Sequence, residues 1–247
     1  MQPNIQPKIS IIVPTLNEEK IIKRMLVALK DFNSMPHKVI VADGHSSDNT
    51  VIIAKEYADV VVEHDGKTRQ TIGLGRNSGG AVAKGEYLVF LDADVFVPDI
   101  NKFFPRAVGI FEKDKDLAAL TVVLKTLPEY ETILDKISWY IISNFHRFAN
   151  NVMKMGSSSG EFQMFRKSYF EKVDGYSKDL VFGEDAEIFY RLSKIAKTRF
   201  EPTLAVMHTS RRAHNIGWHR LWALYAVNSL SNIIRKKPVS KEWKVSR

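Results

Sequence analysis

Residues 86–94 have the sequence Glu-Tyr-Leu-Val-Phe-Leu-Asp-Ala-Asp, and this stretch decides the fold. Its apolar run, residues 87–91, has the length and the aromatic and β-branched content of a strand buried on both faces of a sheet. Two carboxylates, Asp92 and Asp94, follow the run directly. Because ligands bind beyond the carboxyl ends of the strands in open α/β sheets, we expect these acids to lie in a functional site.

The close pair Asp92 and Asp94 has two interpretations. Neighbouring carboxylates repel each other near a core unless a cation or strong donors neutralise them. A hard divalent cation that also carries substrate phosphates meets that need. For an isolated Asp-x-Asp, a solvated acidic turn at a strand end is the simpler alternative, so the flanking sequence has to decide.

The chain before this strand alternates strands and helices. The predicted strands cover residues 9–13, 39–42 and 60–62. Three helices are predicted: the first begins near Asn17, the second begins near Asp48, and the third covers residues 71–84. Asn17 is the predicted N-cap of the first helix, with Glu18 and Glu19 in its first turn. This alternation predicts a parallel sheet with crossover helices.

Two common nucleotide-binding motifs are missing from the sequence. No Gly-x-Gly-x-x-Gly follows the first strand and no Gly-x-x-x-x-Gly-Lys-Ser/Thr occurs, which argues against a dinucleotide Rossmann site and a P-loop. Asp43 instead ends the second strand as Asp92 and Asp94 end the fourth. The three acids are therefore predicted to lie along one edge of the sheet, and that edge is the candidate site.

The second half of the chain has a looser pattern. We predict helices at residues 103–112, 129–153 and 218–234, strands at 117–124 and 162–165, a loop of small residues at 156–160, a helix that opens at Gly183, and a short strand that ends at His208. The sequence contains no internal repeat and no low-complexity segment.

Length and composition are those of a globular protein. With 247 residues, 45% hydrophobic and 26% charged, one large α/β domain is preferred over two small ones. The absence of cysteine excludes disulfides, thiolate zinc sites and a cysteine nucleophile. Neither a signal peptide nor a membrane span is expected. We predict a loose arm (1–8), a catalytic domain (9–215) and an amphipathic helix with a basic tail (216–247).

The formal net charge is +8. Such a surplus suits nucleic acid, anionic lipid or a phosphorylated substrate equally well. Its distribution is more informative, because residues 235–247 contain six Lys and Arg residues and a single acid. The basic tail is therefore a candidate contact for an anionic partner.

Four motifs in order resemble the family 2 glycosyltransferases of GT-A fold. They are Pro-Thr-Leu-Asn-Glu-Glu at 14–19, Asp-Gly-x-Ser-x-Asp-x-Thr at 43–50, Asp-Ala-Asp at 92–94 and Gly-Glu-Asp at 183–185. The match extends over residues 9–212. The resemblance implies an α/β, GT-A, Rossmann-like and mostly parallel sheet flanked by helices, a nucleotide-sugar donor, a divalent cation (Mn²⁺ or Mg²⁺), and inversion at the anomeric carbon.

The resemblance also implies roles for residues on the donor side. The donor would be bound by Pro14, Leu16, Glu18, Asp43, Arg76, Asp92, Ala93, Arg211 and Arg212, with Asp43 at a base edge and the two last arginines on the diphosphate or on an acceptor phosphate. The metal would be bound by Asp94, by Asp92 and by His208. A solvated helix charge is the alternative for Arg76, and a structural histidine is the alternative for His208.

On the acceptor side, Asp185 resembles the general base that deprotonates the acceptor hydroxyl. Glu184, Ser159, Gly160 and Gln163 match positions that border the acceptor. Acids in a first helical turn are the alternative for Glu184 and Asp185, since the helix dipole favours them there. If the acceptor is itself a phosphate, no strong base is needed and Asp185 would position the acceptor instead.

The helix at 129–153 carries an aromatic and apolar face, and so does the C-terminal segment 216–247 with its amphipathic helix and basic tail. Flanking Lys and Arg residues suit a membrane interface in both. Packing on the sheet is the alternative for each. With no spans, these helices resemble the lipid-using polyprenyl-phosphate mannosyl- or glucosyltransferase branch, although the usual C-terminal spans of that branch are absent. We therefore expect a peripheral protein at the cytoplasmic face of the membrane.

The resemblance thus implies hexose transfer, mannose or glucose, from a GDP-mannose or UDP-glucose type donor to a polyprenyl phosphate or a glycolipid. A soluble transferase with a small polar or polysaccharide acceptor is the first alternative, and it predicts that both aromatic helices are buried. A nucleotidyltransferase would need a Gly-rich, basic phosphate loop where residues 14–19 supply acids. A nucleic-acid binder would leave the acids unexplained, and no nucleic-acid partner is expected.

Overall fold

A computed structural model of the protein describes residues 6–66 and 70–225. Across this part of the chain, the strands form one eight-stranded sheet in the order β3-β2-β1-β4-β7-β6-β8-β5. The strands are β1 (Ile9–Thr15), β2 (His37–Asp43), β3 (Val60–Glu63), β4 (Tyr87–Leu91), β5 (Val95–Phe96), β6 (Leu117–Thr126), β7 (Phe162–Arg166) and β8 (Lys197–His208).

Helices cover both faces of the sheet. They are α1 (Ile22–Lys30), α2 (Thr50–Tyr57), α3 (Ile72–Val82), α4 (Ile100–Lys113), α5 (Ile133–Arg147), α6 (Lys167–Lys172), α7 (Glu184–Ser193) and α8 (Arg211–Ile216). A π-helical turn, Phe148–Val152, extends α5, and residues 218–225 are also helical. None of the helices in the described ranges is long and apolar enough to cross a membrane.

The core has two layers, one on each side of the sheet. Ile11 and Val13 of β1 belong to the layer under α1 and α4, whereas Ile12 belongs to the layer under α3 and α7. Successive side chains of a strand point to opposite faces, so a strand between two layers is apolar throughout. All five residues of β4 are fully buried, as expected of a strand covered on both faces.

Strand direction determines what reaches the candidate edge. β1, β2, β3 and β4 are mutually parallel, but β7 lies antiparallel between β4 and β6. β6 and β8 are parallel to each other. The ends of β1, β2, β4, β6 and β8 therefore lie at one edge, together with the beginning of β7. Residues 157–161, which precede β7, reach the same edge as Asp92.

The prediction that Asn17 caps the first helix is wrong. Asn17 has a left-handed φ of 55°, and α1 begins five residues later, at Ile22. The loop is fixed by tertiary contacts instead, because the Asn17 amide donates to Ser46 Oγ and the Glu18 amide donates to Thr50 Oγ1. Glu18 and Glu19 are consequently loop residues rather than the first turn of a helix.

Other predicted boundaries need smaller corrections. β8 is twelve residues long and not short, and the helix predicted at 129–153 is α5 with its π-helical extension. The predicted last helix is described only as far as residue 225. Residues 1–5 of the predicted arm and the basic tail lie outside the described residues.

Candidate active site

The loops at this edge of the sheet surround a cavity of about 720 Å³. Its walls come from the β1 loop, the Asp-Ala-Asp segment, the approach to β7, the start of α7 and the segment after β8. The inner side of α5 and residues 221–225 close it on the remaining side. The predicted site residues that line it are Pro14, Leu16, Glu18, Arg76, Asp92, Ala93, Asp94, Ser159, Gly160, Glu184, Asp185, His208, Arg211 and Arg212.

Arg76 is the centre of the site. Its guanidinium is 1% exposed, so the alternative of a solvated helix charge is wrong. Nη2 donates to Asp92 at 3.0 Å, and Nη1 donates to Asp185 at 2.8 Å and to Glu184 at 3.3 Å. A buried charge persists when it is paired and hydrogen-bonded, and here one guanidinium neutralises three carboxylates from two segments, the end of β4 and the start of α7.

The carboxyl groups around Arg76 still outnumber it. Burial raises the pKa of Asp92 to about 7, although Arg76 opposes the shift. The pKa of Glu184 is raised well above its usual range by burial and by the neighbouring Asp185. Burial also raises the pKa of Glu161 to about 7. These shifts mark a buried site that disfavours the ionised form of its carboxyl groups.

The backbone of Asp185 is also fixed by a buried side chain. Gln163 Nε2 donates to the Asp185 carbonyl at 3.0 Å, and Tyr176 Oη donates to Gln163 Oε1 at 2.5 Å. Gln163 is fully buried and is not among the residues that line the cavity. It therefore supports the start of α7, and its predicted place beside the acceptor stays a prediction.

Arg211 bridges the first and last loops of the site. It donates to both carboxylate oxygens of Glu18 at 2.7 Å, and its Nε lies 3.3 Å from Asp94. This two-point pairing fixes the guanidinium plane. Arg212 lines the cavity beside it, and burial lowers the pKa of Arg212 while the nearby Tyr225 and Glu161 oppose the shift.

The predicted metal ligands offer a suitable donor set. Thr209 Oγ1 donates to Asp94, and burial lowers the pKa of His208 to about 4, which keeps its imidazole neutral at pH 7. The Ser210 amide donates to His208 Nδ1 at 3.3 Å, and His208 Nε2 is buried with no hydrogen-bond partner in the described residues. Carboxylate oxygens and a neutral imidazole suit Mg²⁺ or Mn²⁺.

These ligands are not preassembled as a cage. The described residues contain no group of three or more His, Cys, Asp or Glu side chains placed to hold an ion. Magnesium is commonly bound by one or two carboxylates together with substrate phosphates. The residues therefore fit a cation that arrives with a phosphorylated donor.

Asp43 lies outside the cavity lining. It accepts hydrogen bonds from Thr15 Oγ1 at 2.9 Å, from Ser46 Oγ at 2.5 Å and from the backbone amides of His45 and Ser46. These contacts hold the β2 loop against the end of β1, and the adjacent Gly44 lines the cavity. The predicted role of Asp43 at a base edge stays a prediction.

Sequence reasoning missed several residues that line the cavity. They are Gln70, Trp139, His146, Glu161 and Tyr225. Glu161 reaches the site because β7 runs antiparallel, and strand direction is not visible in the sequence around Gly160. Trp139 and His146 lie on the inner side of α5, which the sequence pattern marked only as part of a broad apolar helix.

A protein-family model described as glycosyl transferase family 2 matches residues 10–174 of this chain. The chain belongs to glycosyl transferase family 2. The matched range contains the β1 loop, Asp43, Arg76 and the Asp-Ala-Asp segment, so the expectation of a family 2 glycosyltransferase is confirmed.

Individual relatives share about a quarter of the aligned residues with this chain. The O-antigen chain rhamnosyltransferase RfbN of Salmonella typhimurium is 24% identical over 84% of this chain and 67% of its own length. The succinoglycan biosynthesis protein ExoA of Rhizobium meliloti is 26% identical over 74% of this chain and 57% of its own length. This family 2 chain thus spans about two thirds or less of the length of these relatives.

Solved structures confirm the GT-A fold. The mannosyltransferase PcManGT from Pyrobaculum calidifontis, solved with GDP-Man and Mn²⁺, superposes with a TM-score of 0.72 at 20% identity, over 94% of this chain and 66% of that one. S. aureus TarS 1-349 in complex with UDP-GlcNAc gives a TM-score of 0.62 at 21% identity, over 81% of this chain and 58% of its own.

Proposed function

We propose that this chain is an inverting, metal-dependent glycosyltransferase that moves a hexose from a nucleotide-sugar to a lipid-linked acceptor. The observation that carries the proposal is the single buried guanidinium of Arg76, which joins Asp92 at the end of β4 to Asp185 at the start of α7. A donor-side acid and a candidate base are thereby held by one guanidinium in the lining of one cavity.

The donor half of the cavity suits a nucleoside diphosphate. Pro14 and Leu16 offer an apolar wall for the nucleoside, and Glu18 holds Arg211 in position toward Asp94. A bound Mg²⁺ or Mn²⁺, held by Asp94 and His208 and by Asp92, would neutralise the charge that develops on the leaving diphosphate. Mannose or glucose linked to GDP or UDP is the proposed donor class.

In the acceptor half, Asp185 acts as the general base. Arg76 and the Gln163 contact to its carbonyl fix the carboxylate at the cavity wall. As the acceptor oxygen attacks the anomeric carbon from the side opposite the diphosphate, Asp185 takes its proton. Attack from that side inverts the configuration at this carbon.

The outward face of α5 supports a lipid-linked acceptor. Its exposed apolar residues are Ile133 (77%), Leu134 (61%), Ile137 (50%), Tyr140 (72%), Ile141 (50%), Phe145 (62%), Phe148 (54%) and Val152 (63%). Contiguous exposed apolar surface of this kind marks an interaction site. Phe145 also lines the cavity, so the apolar face leads to the cavity entrance.

We propose that this face of α5 lies on the cytoplasmic side of a membrane as a peripheral contact. The soluble alternative predicts burial of the face, which the exposure of Ile133 and Tyr140 disfavours. Lys136 and Arg147 are exposed on the same helix and suit anionic headgroups. In the helix at 218–225, by contrast, Trp218 and Leu221 are buried in the core, so this portion packs on the protein.

Calorimetric titration of nucleotide-sugars tests the donor site. The wild type should bind one donor with Mn²⁺ or Mg²⁺ and lose at least tenfold in affinity with EDTA or in Asp94→Ala. Asp116→Ala, at an aspartate that is 76% exposed, is the control and should bind as the wild type does. If the wild type binds no nucleotide-sugar with or without metal, the donor-site assignment is refuted.

Co-sedimentation with phosphatidylglycerol-containing vesicles tests the membrane contact. The double variant Ile137→Glu/Tyr140→Glu should lose most vesicle binding, because it places two charges on the apolar face. Ile52→Glu alters a side chain on α2 that is 68% exposed, and it should bind as the wild type does. Equal binding by wild type and double variant would contradict the membrane contact.

A further inference from the structure

The cavity around Arg76 is crowded with carboxyl groups. Asp92, Glu161, Glu184 and Asp185 all line it. Three of the four share one cation, since Arg76 lies 3.0 Å from Asp92, 3.3 Å from Glu184 and 2.8 Å from Asp185. Arg76 is therefore already committed to these acids.

The remaining cations do not reverse this balance. Arg211 is paired at two points with Glu18 and lies beside Asp94, which places it with the donor-side acids. Arg212 is the third arginine in the lining, and no lysine of the described residues lines the cavity. A phosphate acceptor would bring one or two further negative charges into a partly desolvated site where like charges repel strongly.

A hydroxyl acceptor fits the same groups without that conflict. Carboxylate oxygens accept hydrogen bonds from hydroxyl groups, and several acids in one pocket offer several such contacts. A hydroxyl also has to lose its proton as it attacks, which requires a base such as Asp185. A phosphate oxygen is already ionised and needs none.

Glu161 is the acid in this group that Arg76 does not contact. It directly precedes β7, and its carbonyl accepts a hydrogen bond from the Asp92 amide at 3.3 Å, which fixes it at the cavity edge. Its Oε2 atom is buried and has no hydrogen-bond partner within the described part of the chain. A buried acceptor atom left unpaired in a cavity lining indicates a ligand donor that is supplied on binding.

We infer that the acceptor is a neutral sugar hydroxyl, as on a glycolipid, rather than a polyprenyl phosphate, and that Glu161 binds a hydroxyl group of that sugar. The inference rests on the proposed function. In the transfer, the acceptor oxygen forms a bond to the anomeric carbon, and the bond from that carbon to the diphosphate oxygen breaks. The electron pair leaves with the nucleoside diphosphate, and the hydroxyl proton passes to Asp185.

Release of nucleoside diphosphate from the donor identified by titration tests this inference. Two classes of acceptor are compared, a panel of octyl glycosides that carry hexoses and the isoprenoid phosphates citronellyl and undecaprenyl phosphate. We expect one or more octyl glycosides to accelerate release at least tenfold over water, and the phosphates to leave it unchanged. Acceleration by a phosphate, or by neither class, would overturn the inference.

The variant Glu161→Gln tests the residue. It should raise KM for the octyl glycoside about tenfold and leave the donor Kd within twofold, and Glu161→Asp should recover part of the loss. An unchanged KM in Glu161→Gln would refute the role of Glu161. If Glu161→Gln does not fold, the comparison of acceptor classes on the wild type still decides the acceptor. If the proposed function itself is wrong, the outcome is distinguishable from both of these results, because the wild type would then bind no nucleotide-sugar.

Discussion

Arg76 is the side chain that touches both halves of the candidate site. The sequence indicated a basic residue near the donor but left a solvated helix charge equally open. A helix pattern of small and polar residues does not reveal which face meets the sheet. Nor does it reveal a contact with Asp185, which is 109 residues away in the chain.

Replacement of Arg76 by methionine should destabilise the protein by about 3–5 kcal/mol, because it leaves the buried Glu184 and the partly buried Asp92 and Asp185 without their cation. Arg24→Met is the control, since Arg24 is 55% exposed and pairs with Glu129 at the surface, where such a pair contributes about 0–1 kcal/mol. Urea unfolding measures both values. A loss below about 1 kcal/mol for Arg76→Met would contradict the buried network.

His146 should make the protein sensitive to acid. Burial lowers its pKa to about 4, although the nearby Asp185 opposes the shift. Below the ordinary histidine pKa of about 6.5, the unfolded chain takes up a proton that the folded protein does not, so stability falls as pH decreases. Between pH 7.5 and pH 5, the wild type should lose about 2 kcal/mol more than His146→Gln in urea unfolding. Parallel losses in the two proteins would refute the assignment.

At the scale of elements, sequence periodicity gave the secondary structure well where local pattern determines it. β4 has its predicted range, and α2 begins within a few residues of its predicted start near Asp48. The loop at Asn17 was misjudged because contacts with Ser46 and Thr50, about thirty residues away, override its local capping propensity. The antiparallel insertion of β7 could not be predicted, since strand direction depends on pairing partners.

Alanine substitutions at two glycines test the packing of these elements, and we expect one to lower stability and the other to raise it. A Cβ at Gly85 would lie 2.5 Å from the Ser10 amide nitrogen and 2.7 Å from the Ile9 carbonyl carbon. Because backbone atoms cannot easily move, Gly85→Ala should cost about 1–3 kcal/mol. A Cβ at Gly109 in α4 would meet nothing within 4 Å, so Gly109→Ala should stabilise by about 0.5–1 kcal/mol. Thermal unfolding of both variants decides, and a loss of stability in Gly109→Ala would contradict the helix assignment.

For the molecule as a whole, the family and the edge of the sheet that carries the site were predictable, because motifs at strand ends are local in sequence. The partners of each acid were not. The pairing of Glu18 with Arg211 joins residues 193 positions apart, and the exposure of α5 became visible only in the folded chain.

Donor binding should stabilise the entire domain. At a nucleoside diphosphate concentration one hundred times its Kd with Mn²⁺, the free energy of unfolding should rise by about 2.7 kcal/mol. For a domain of this size, that corresponds to an increase in Tm of about 5–10 °C. EDTA should remove most of the increase in the wild type, while Asp94→Asn should show little metal-dependent change. A shift of equal size with and without metal would contradict the metal-assisted site.

The bridge that Arg76 makes across the site also has a consequence for refolding. Contacts between residues far apart in sequence form late, because a long loop has to close before they contribute to stability. The 109-residue separation of Arg76 and Asp185 therefore places completion of the active site after the N-terminal strands and helices have formed. During refolding from urea, catalytic activity should return with the slowest phase, later than the far-UV circular dichroism of the helices.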